Sequence, residues 1–379
     1  MKTGTSRGLL KSFVLFILAI IASFPGHSSN LKTTSVFGYD SNPLKLRSSL
    51  APAGSEYLYT HIKGSSNLIG NINVFGEFNG RKYTNSVNEA DYFTALLGID
   101  YRFKMNGLRP GARIDLSFKT GMLDKSYVNR NTGDIGIAKS REIKNRQDYR
   151  FSAGNILFTY PFSQNLSTSL LFQLEQRQYE DYSHIGLNSL DYRIISAVSK
   201  SRYSISHTSS LSVSLVKSRQ RYEDRLETNR NGKPIPETYL HYDFHKLILG
   251  YNCTLSKNSK ISINGLYDVR SDSGGGYFNR DRTQVSALSF YRFSKVSQLR
   301  TKASFLQDSY SKLQRSNGNG EEELVFEKSH QLSLNYNHKI MPVEGLRLNV
   351  RYEFTTTQSV IQSNQYARHQ MSVGLEYRF

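Results

Sequence analysis

The chain has 379 residues, a formal charge of +18, one cysteine and no tryptophan, against 25 tyrosines and 21 phenylalanines. A hydrophobic fraction of 38% and a mean hydropathy of −0.50 exclude a bundle of membrane-spanning helices. They do not exclude a membrane barrel, in which only every second strand residue meets lipid. The lone Cys253 rules out an intrachain disulfide and reads as a small apolar filler.

Residues 1–28 read as a cleaved signal peptide. Lys2, Arg7 and Lys11 precede a short apolar run, Phe13 to Phe24, and then the small residues from Pro25 to Ser29. The run is too short to span a membrane as a helix. Removing those three bases from a chain of +18 leaves +15, and the absence of a nearby cysteine argues against a lipoprotein anchor.

Residues 29–379 then read as one all-β unit, a transmembrane antiparallel up-and-down barrel. Apolar residues recur at every second position, the signature of a strand with one apolar and one polar face. Strands are expected near 32–40, 56–63, 68–79, 92–103, 111–120, 148–160, 165–178, 189–205, 211–221, 239–255, 260–270, 283–293, 299–310, 328–339, 346–357 and 365–379. That makes about 16, with 14 as the alternative count because 41–55 is an awkward proline-containing loop. Short connections alternate with long ones, which puts both termini on the periplasmic side. A soluble β-sandwich would also alternate, but its strands are typically shorter, and it would not crowd tyrosine and phenylalanine at the ends of apolar faces.

The ending Val373-Gly-Leu-Glu-Tyr377-Arg-Phe379 resembles the terminal strand of Gram-negative outer-membrane β-barrel proteins, the porin-like superfamily. The resemblance implies an outer-membrane location and recognition by the barrel-assembly machinery through Phe379, Tyr377, Leu375 and Val373. A second string, Phe37-Gly-Tyr39-Asp40-Ser41-Asn42-Pro43, is similar to the start of barrels that export surface lipoproteins and exopolysaccharides. It implies an export pore as an alternative function. The topology also resembles that of general porins, whose third loop folds inward; here that loop would be 120–147, either narrowing a channel or lying on the surface.

No catalytic, cofactor or metal residues are expected. His241, Asp243 and His245 share one face of a strand, as an acid–base cluster would, but that face continues into Leu247, Leu249 and Tyr251, the expected lipid side. His330 and His338 fall on the lipid face of another strand. Glu321, Glu322 and Glu323 read as a solvated loop rather than a calcium site, and Gly232-Lys233 is stopped by Pro234 from forming a phosphate loop.

The face opposite lipid is expected to carry Arg102, Arg113, Lys119, Arg150, Arg177, Arg193, Lys246, Arg270, Arg292, Arg300, Lys302, Arg347, Arg351, Arg368 and Arg378. The expected acids there are Asp100, Asp115, Asp148, Glu175, Asp191, Asp268, Asp308, Glu353 and Glu376. Nine acids leave part of fifteen bases unneutralised, which would draw anions into a water-filled lumen. The expected function is thus a pore for small polar or anionic solutes. The alternatives are the export pore, an outer-membrane enzyme, or a structural or adhesive barrel. Expected partners are outer-membrane lipid and lipopolysaccharide and the assembly machinery, with a homo-oligomer of the chain as an open option. Nucleic acid is not expected, because the bases are scattered without an aromatic platform.

Overall fold

Sixteen alternating segments can satisfy all their backbone hydrogen bonds only by closing on themselves, and in the computed structural model they do. It describes residues 29–47, 49–50, 54–68, 70–84, 88–129, 134–316 and 322–378. The expected signal peptide and Phe379 lie outside them.

The strands are β1 (Ser29–Asp40), β2 (Ser55–Asn67), β3 (Ile72–Tyr83), β4 (Tyr92–Lys104), β5 (Arg113–Lys125), β6 (Tyr149–Pro161), β7 (Leu166–Tyr179) and β8 (Tyr192–Ser204). They continue with β9 (Ser209–Tyr222), β10 (His241–Ser256), β11 (Ser259–Asp272), β12 (Arg280–Arg292), β13 (Ser297–Ser316), β14 (Glu322–Lys339), β15 (Leu346–Ser359) and β16 (Tyr366–Arg378). Each pairs antiparallel with its sequence neighbours, and β1 pairs with β16 to complete the barrel. The count is therefore 16 and not 14.

Several strand ends shift by a few residues, and two connections depart further from expectation. β2 runs through Gly64 to Asn67, and the chain turns at 68–71 with Gly70 at φ +56, so β3 begins at Ile72. The displacement is an even number of residues, which leaves the faces of β3 unchanged. The expected loop 311–327 is instead largely strand. β13 and β14 continue outward as a hairpin and re-pair at Gln314↔Leu324 after an irregularity beyond Ser309. Glu322 and Glu323 thus sit in a strand, opposite Ser316 and Arg315, while Glu321 lies outside the described residues.

The outer surface is apolar because the hydrophobic row of each strand faces away from the lumen. Phe37, Phe118, Phe172, Leu174, Leu215, Leu249 and Val373 are all about half exposed. A closed barrel wearing such a belt is an outer-membrane protein crossing the bilayer with many strands. The outward row of β16 includes Val373, Leu375 and Tyr377.

Candidate functional site: the barrel interior

The pairing register fixes which residues face inward. Thirteen of the fifteen expected bases do, among them Arg102, Arg113, Lys119, Arg270, Arg300, Lys302, Arg347 and Arg351. Arg150 and Arg193 do not, and Asp148 and Asp191 fall just before their strands, which begin at Tyr149 and Tyr192. On β6 the inward row is Tyr149, Phe151 and Ala153, which leaves Arg150 outside; on β8 it starts with Tyr192 and Ile194, which leaves Arg193 outside, ion-paired to Glu223 at 3.3 Å. Both errors have one cause. Aromatic residues at these strand ends look lipid-facing in the sequence, yet they point into the barrel.

These aromatic residues form a chain around the extracellular mouth. Tyr149, Tyr179, Tyr192, Tyr222 and Tyr242, on five consecutive strands, stand with ring centroids 5.2–6.0 Å apart. Arginines stack on them: Arg177 lies 4.8 Å from the Tyr149 centroid and Arg270 4.6 Å from that of Tyr242. Such contacts favour a fixed cation on the ring face. The expected girdle is therefore asymmetric. Outward aromatics such as Phe103, Tyr203, Tyr291 and Phe293 mark the periplasmic border, whereas many extracellular tyrosines turn inward.

Two ion networks brace the same end of the lumen. Asp40, fully buried, accepts hydrogen bonds from Arg368 Nε (2.9 Å), Gln370 Nε2 (2.7 Å) and Tyr83 Oη (2.8 Å), with Arg81 at 3.7 Å. Arg81 in turn lies 4.3 Å from the Tyr57 ring, which covers Gly38; a Cβ there would come within 2.5 Å of Tyr57 Cζ. Across the barrel, Asp268 holds Arg280 (2.9 Å) and Lys246 (3.8 Å), and Asp308 holds Arg282 (2.6 Å) and Arg280 (3.6 Å). Arg81, Arg280 and Arg282 were missed in the sequence because they lie just beyond the expected ends of their strands.

The periplasmic half differs. Lys200, Arg202, Lys260, Arg292, Arg300 and Lys302 face inward on β8 to β13, all exposed to the lumen. None has a carboxylate within 4 Å among the described residues; Arg202 only meets the Ser210 hydroxyl at 3.3 Å. Lys200, Arg202 and Lys260 were absent from the expected set, the first two because the phase of β8 was misread.

The interior encloses a cavity of about 1050 Å³ against the β1–β4 and β14–β16 wall. Its lining includes Tyr59, Arg81, Asn335, Asn349 and Arg351 from the wall, together with Ser126, Tyr127, Val128, Asn129 and Gln147 from the loop between β5 and β6. That loop is folded upon itself: Gly136 N–H donates to the Tyr127 carbonyl (2.9 Å), Ile143 N–H to the Gly136 carbonyl (2.8 Å), and Ile137–Ala138 pairs with Arg141–Glu142. Both ends of the loop thus line the lumen.

The sequence-level enzyme candidates fall elsewhere. His241, Asp243 and His245 point outward, with Asp243 bound by Arg219 at 2.8 and 2.9 Å. His330 and His338 also lie on the outer face. Among the described residues, no group of three or more His, Cys, Asp or Glu side chains could hold a metal ion.

No protein-family model matches the chain, and no curated protein does. Solved structures of similar shape include an anion-selective porin from Comamonas acidovorans, at 11% identity and a TM-score of 0.49, covering 93% of this chain and 99% of that one. Acinetobacter baumannii OccAB4 is similar at 12% identity and a TM-score of 0.48, covering 93% of this chain and 99% of its own. Pseudomonas aeruginosa OpdQ is similar at 13% identity and a TM-score of 0.46, with coverages of 94% and 99%.

Proposed function

We propose that the barrel is a passive pore for small polar solutes that favours anions. The observation that carries this reading is the row of six unpaired cations on the periplasmic half of the lumen. A fixed charge on a low-dielectric wall focuses counter-ions into the passage, and it does so only where no carboxylate neutralises it. Arg300 and Lys302, joined by Arg102, Arg113, Lys119, Arg270, Arg347 and Arg351, are the proposed pore-lining cations. Those with a close carboxylate shape the wall more than the field: Arg102 and Arg113 both bind Asp115, and Arg351 binds Glu353.

The test is single-channel recording in planar bilayers under a KCl gradient. The expected reversal potential is that of an anion-preferring pore, moved toward the cation side by R300E/K302E. A cation-preferring or silent barrel would refute the reading.

The export alternative loses its motif. Within the Gly-Tyr-Asp-Ser-Asn string, Asp40 binds Arg368, and Asn42 exchanges hydrogen bonds with Leu46 (2.6 and 2.9 Å) and donates to the Ala367 carbonyl (3.2 Å). These contacts join the first strand to the last and account for the residues without cargo. The outward row Val373, Leu375 and Tyr377 supports the reading of the last strand as an assembly signal, with Phe379 as its terminal member.

A further inference from the structure

Outside the lumen, one sector of the barrel carries a charge pattern that a pore does not need. On β9 the outward row is Leu211, Val213 and Leu215, and it then changes abruptly to Lys217, Arg219 and Arg221, all exposed. The register sets Lys217 between Ala197 and His245, Arg219 between Ile195 and Asp243, and Arg221 between Arg193 and His241. Arg219 and Arg193 have carboxylate partners, Asp243 and Glu223. Lys217 and Arg221 have none within 4 Å among the described residues. Arg221 stands directly opposite Arg193, whose counter-ion is Glu223, so Arg221 adds a second cation at an opposed sheet position without a carboxylate of its own.

The height of this patch identifies what it meets. On β10 the outward row runs from Leu255 up to Leu247, and His245 is the next outward residue. At about 3.4 Å per residue and a tilt of about 40°, the ten residues from Leu255 to His245 rise roughly 26 Å. The apolar band of such barrels is about 25 Å tall. Lys217, level with His245, therefore stands where hydrocarbon gives way to headgroups, on the side of the long loops. Three consecutive outward bases are not a feature of every strand: on β1 and β16 the outward rows end with Tyr39 and His369.

We propose that Lys217 and Arg221, with Arg219 and Arg193 beside them, form a docking site for the phosphorylated sugar headgroup of lipopolysaccharide in the outer leaflet. Phosphate oxygens accept charge-assisted hydrogen bonds from guanidinium and ammonium groups, and a phosphate beside Lys217 and Arg221 would supply the counter-ion that both lack. The site depends on the barrel's place in the outer membrane and not on the pore reading.

The test uses the full barrel, stripped of lipid in detergent and offered purified lipopolysaccharide or, separately, phosphatidylglycerol, with retained lipid measured by native mass spectrometry. Wild type is expected to retain lipopolysaccharide preferentially, and K217Q/R221Q to retain about tenfold less, a loss of about 1.4 kcal/mol, with unchanged conductance. K217R/R221K, which keeps both charges, should restore most of the retention and guards against a folding defect. Equal retention by wild type and K217Q/R221Q overturns the proposal, as does equal retention of phosphatidylglycerol, which would mean a generic anionic surface.

Discussion

Two groups of lumenal cations, one toward each end of the barrel, are held differently. Toward the extracellular mouth the cations are tied down: Arg368 by Asp40, Arg280 and Arg282 by Asp268 and Asp308, Arg177 and Arg270 on tyrosine rings. Toward the periplasm Lys200, Arg202, Lys260, Arg292, Arg300 and Lys302 are exposed and have no carboxylate within 4 Å among the described residues, although Arg292 and Arg300 flank the Phe290 ring at 6.0 and 5.9 Å. The first group is structural, because its charges are desolvated and matched. The second makes the field, because its charges are hydrated and unmatched. A tally of lumenal charges cannot separate the two roles; partner geometry does.

The sharpest break of this contrast is to remove one cation from each half. Arg368→Ala would leave Asp40 buried without its main partner, at an expected cost of about 3–5 kcal/mol. Arg300→Ala should leave stability within about 0.5 kcal/mol while lowering anion preference. Equilibrium urea unfolding in lipid vesicles measures the first effect, and similar losses from both variants would erase the distinction.

The contrast presupposes the inside–outside register, which two adjacent residues of β15 can test. Leu348→Arg places a charge on the lipid face at an expected cost of about 2–4 kcal/mol near the midplane, whereas Asn349→Arg enters water and should cost little. The same unfolding assay would report equal damage if the faces were assigned wrongly.

A smaller effect, on conductance alone, concerns the loop that shares the cavity with the wall. Deleting residues 126–141 should raise single-channel conductance, because both ends of that loop line the lumen. It should also dilute anion preference by widening the passage. An unchanged current would place the loop's bulk outside the conducting path.

The smallest expected effect is a dependence on pH at the base of that loop. Burial, with Asp124 and Glu180 beside it, pushes Asp148 up to about 7, although its carboxylate accepts a hydrogen bond from Lys125 N–H at 2.7 Å. Since the folded value exceeds the ordinary 3.8, the folded loop holds the proton more tightly than the unfolded one. Its anchoring is then strongest at low pH and weakens as pH rises through about 7. Protease cleavage of the 126–147 loop, normalised to cleavage of the 223–240 loop, should increase between pH 6 and 8. In Asp148→Asn that increase should disappear.

Much of the architecture was legible in the sequence because a lipid-facing row repeats along every strand and the connections alternate in length. The number of strands, the direction of the chain and most inward bases follow from that repetition alone. Several failures fall at the extracellular ends. There Tyr149 and Tyr192 mimic lipid-facing residues, and Arg81, Arg280 and Arg282 fall past the apparent limits of their strands. The pairing of charges was not legible, because the partners of Asp40 and of Asp308 come from neighbouring strands whose stagger is set only by the closed sheet. The unpaired basic wall was half visible, in Arg292, Arg300 and Lys302; Lys200 and Arg202 appeared only once β8 was in phase, and Lys260 on β11 was passed over.

The bond between Asp40 and Arg368 joins residues 328 positions apart. Closing a loop of that length costs about 5 kcal/mol in chain entropy by the logarithmic law, so this contact cannot lead the folding of the barrel. Its place is at the seam, where it depends on register. Were β1 to add to β16 one residue out of step, Asp40 would swing from the lumen to the hydrocarbon side and lose Arg368, Gln370 and Tyr83 together. A slipped seam is therefore penalised most heavily by its single most buried carboxylate, and only a sheet with all its strands in step can be sealed.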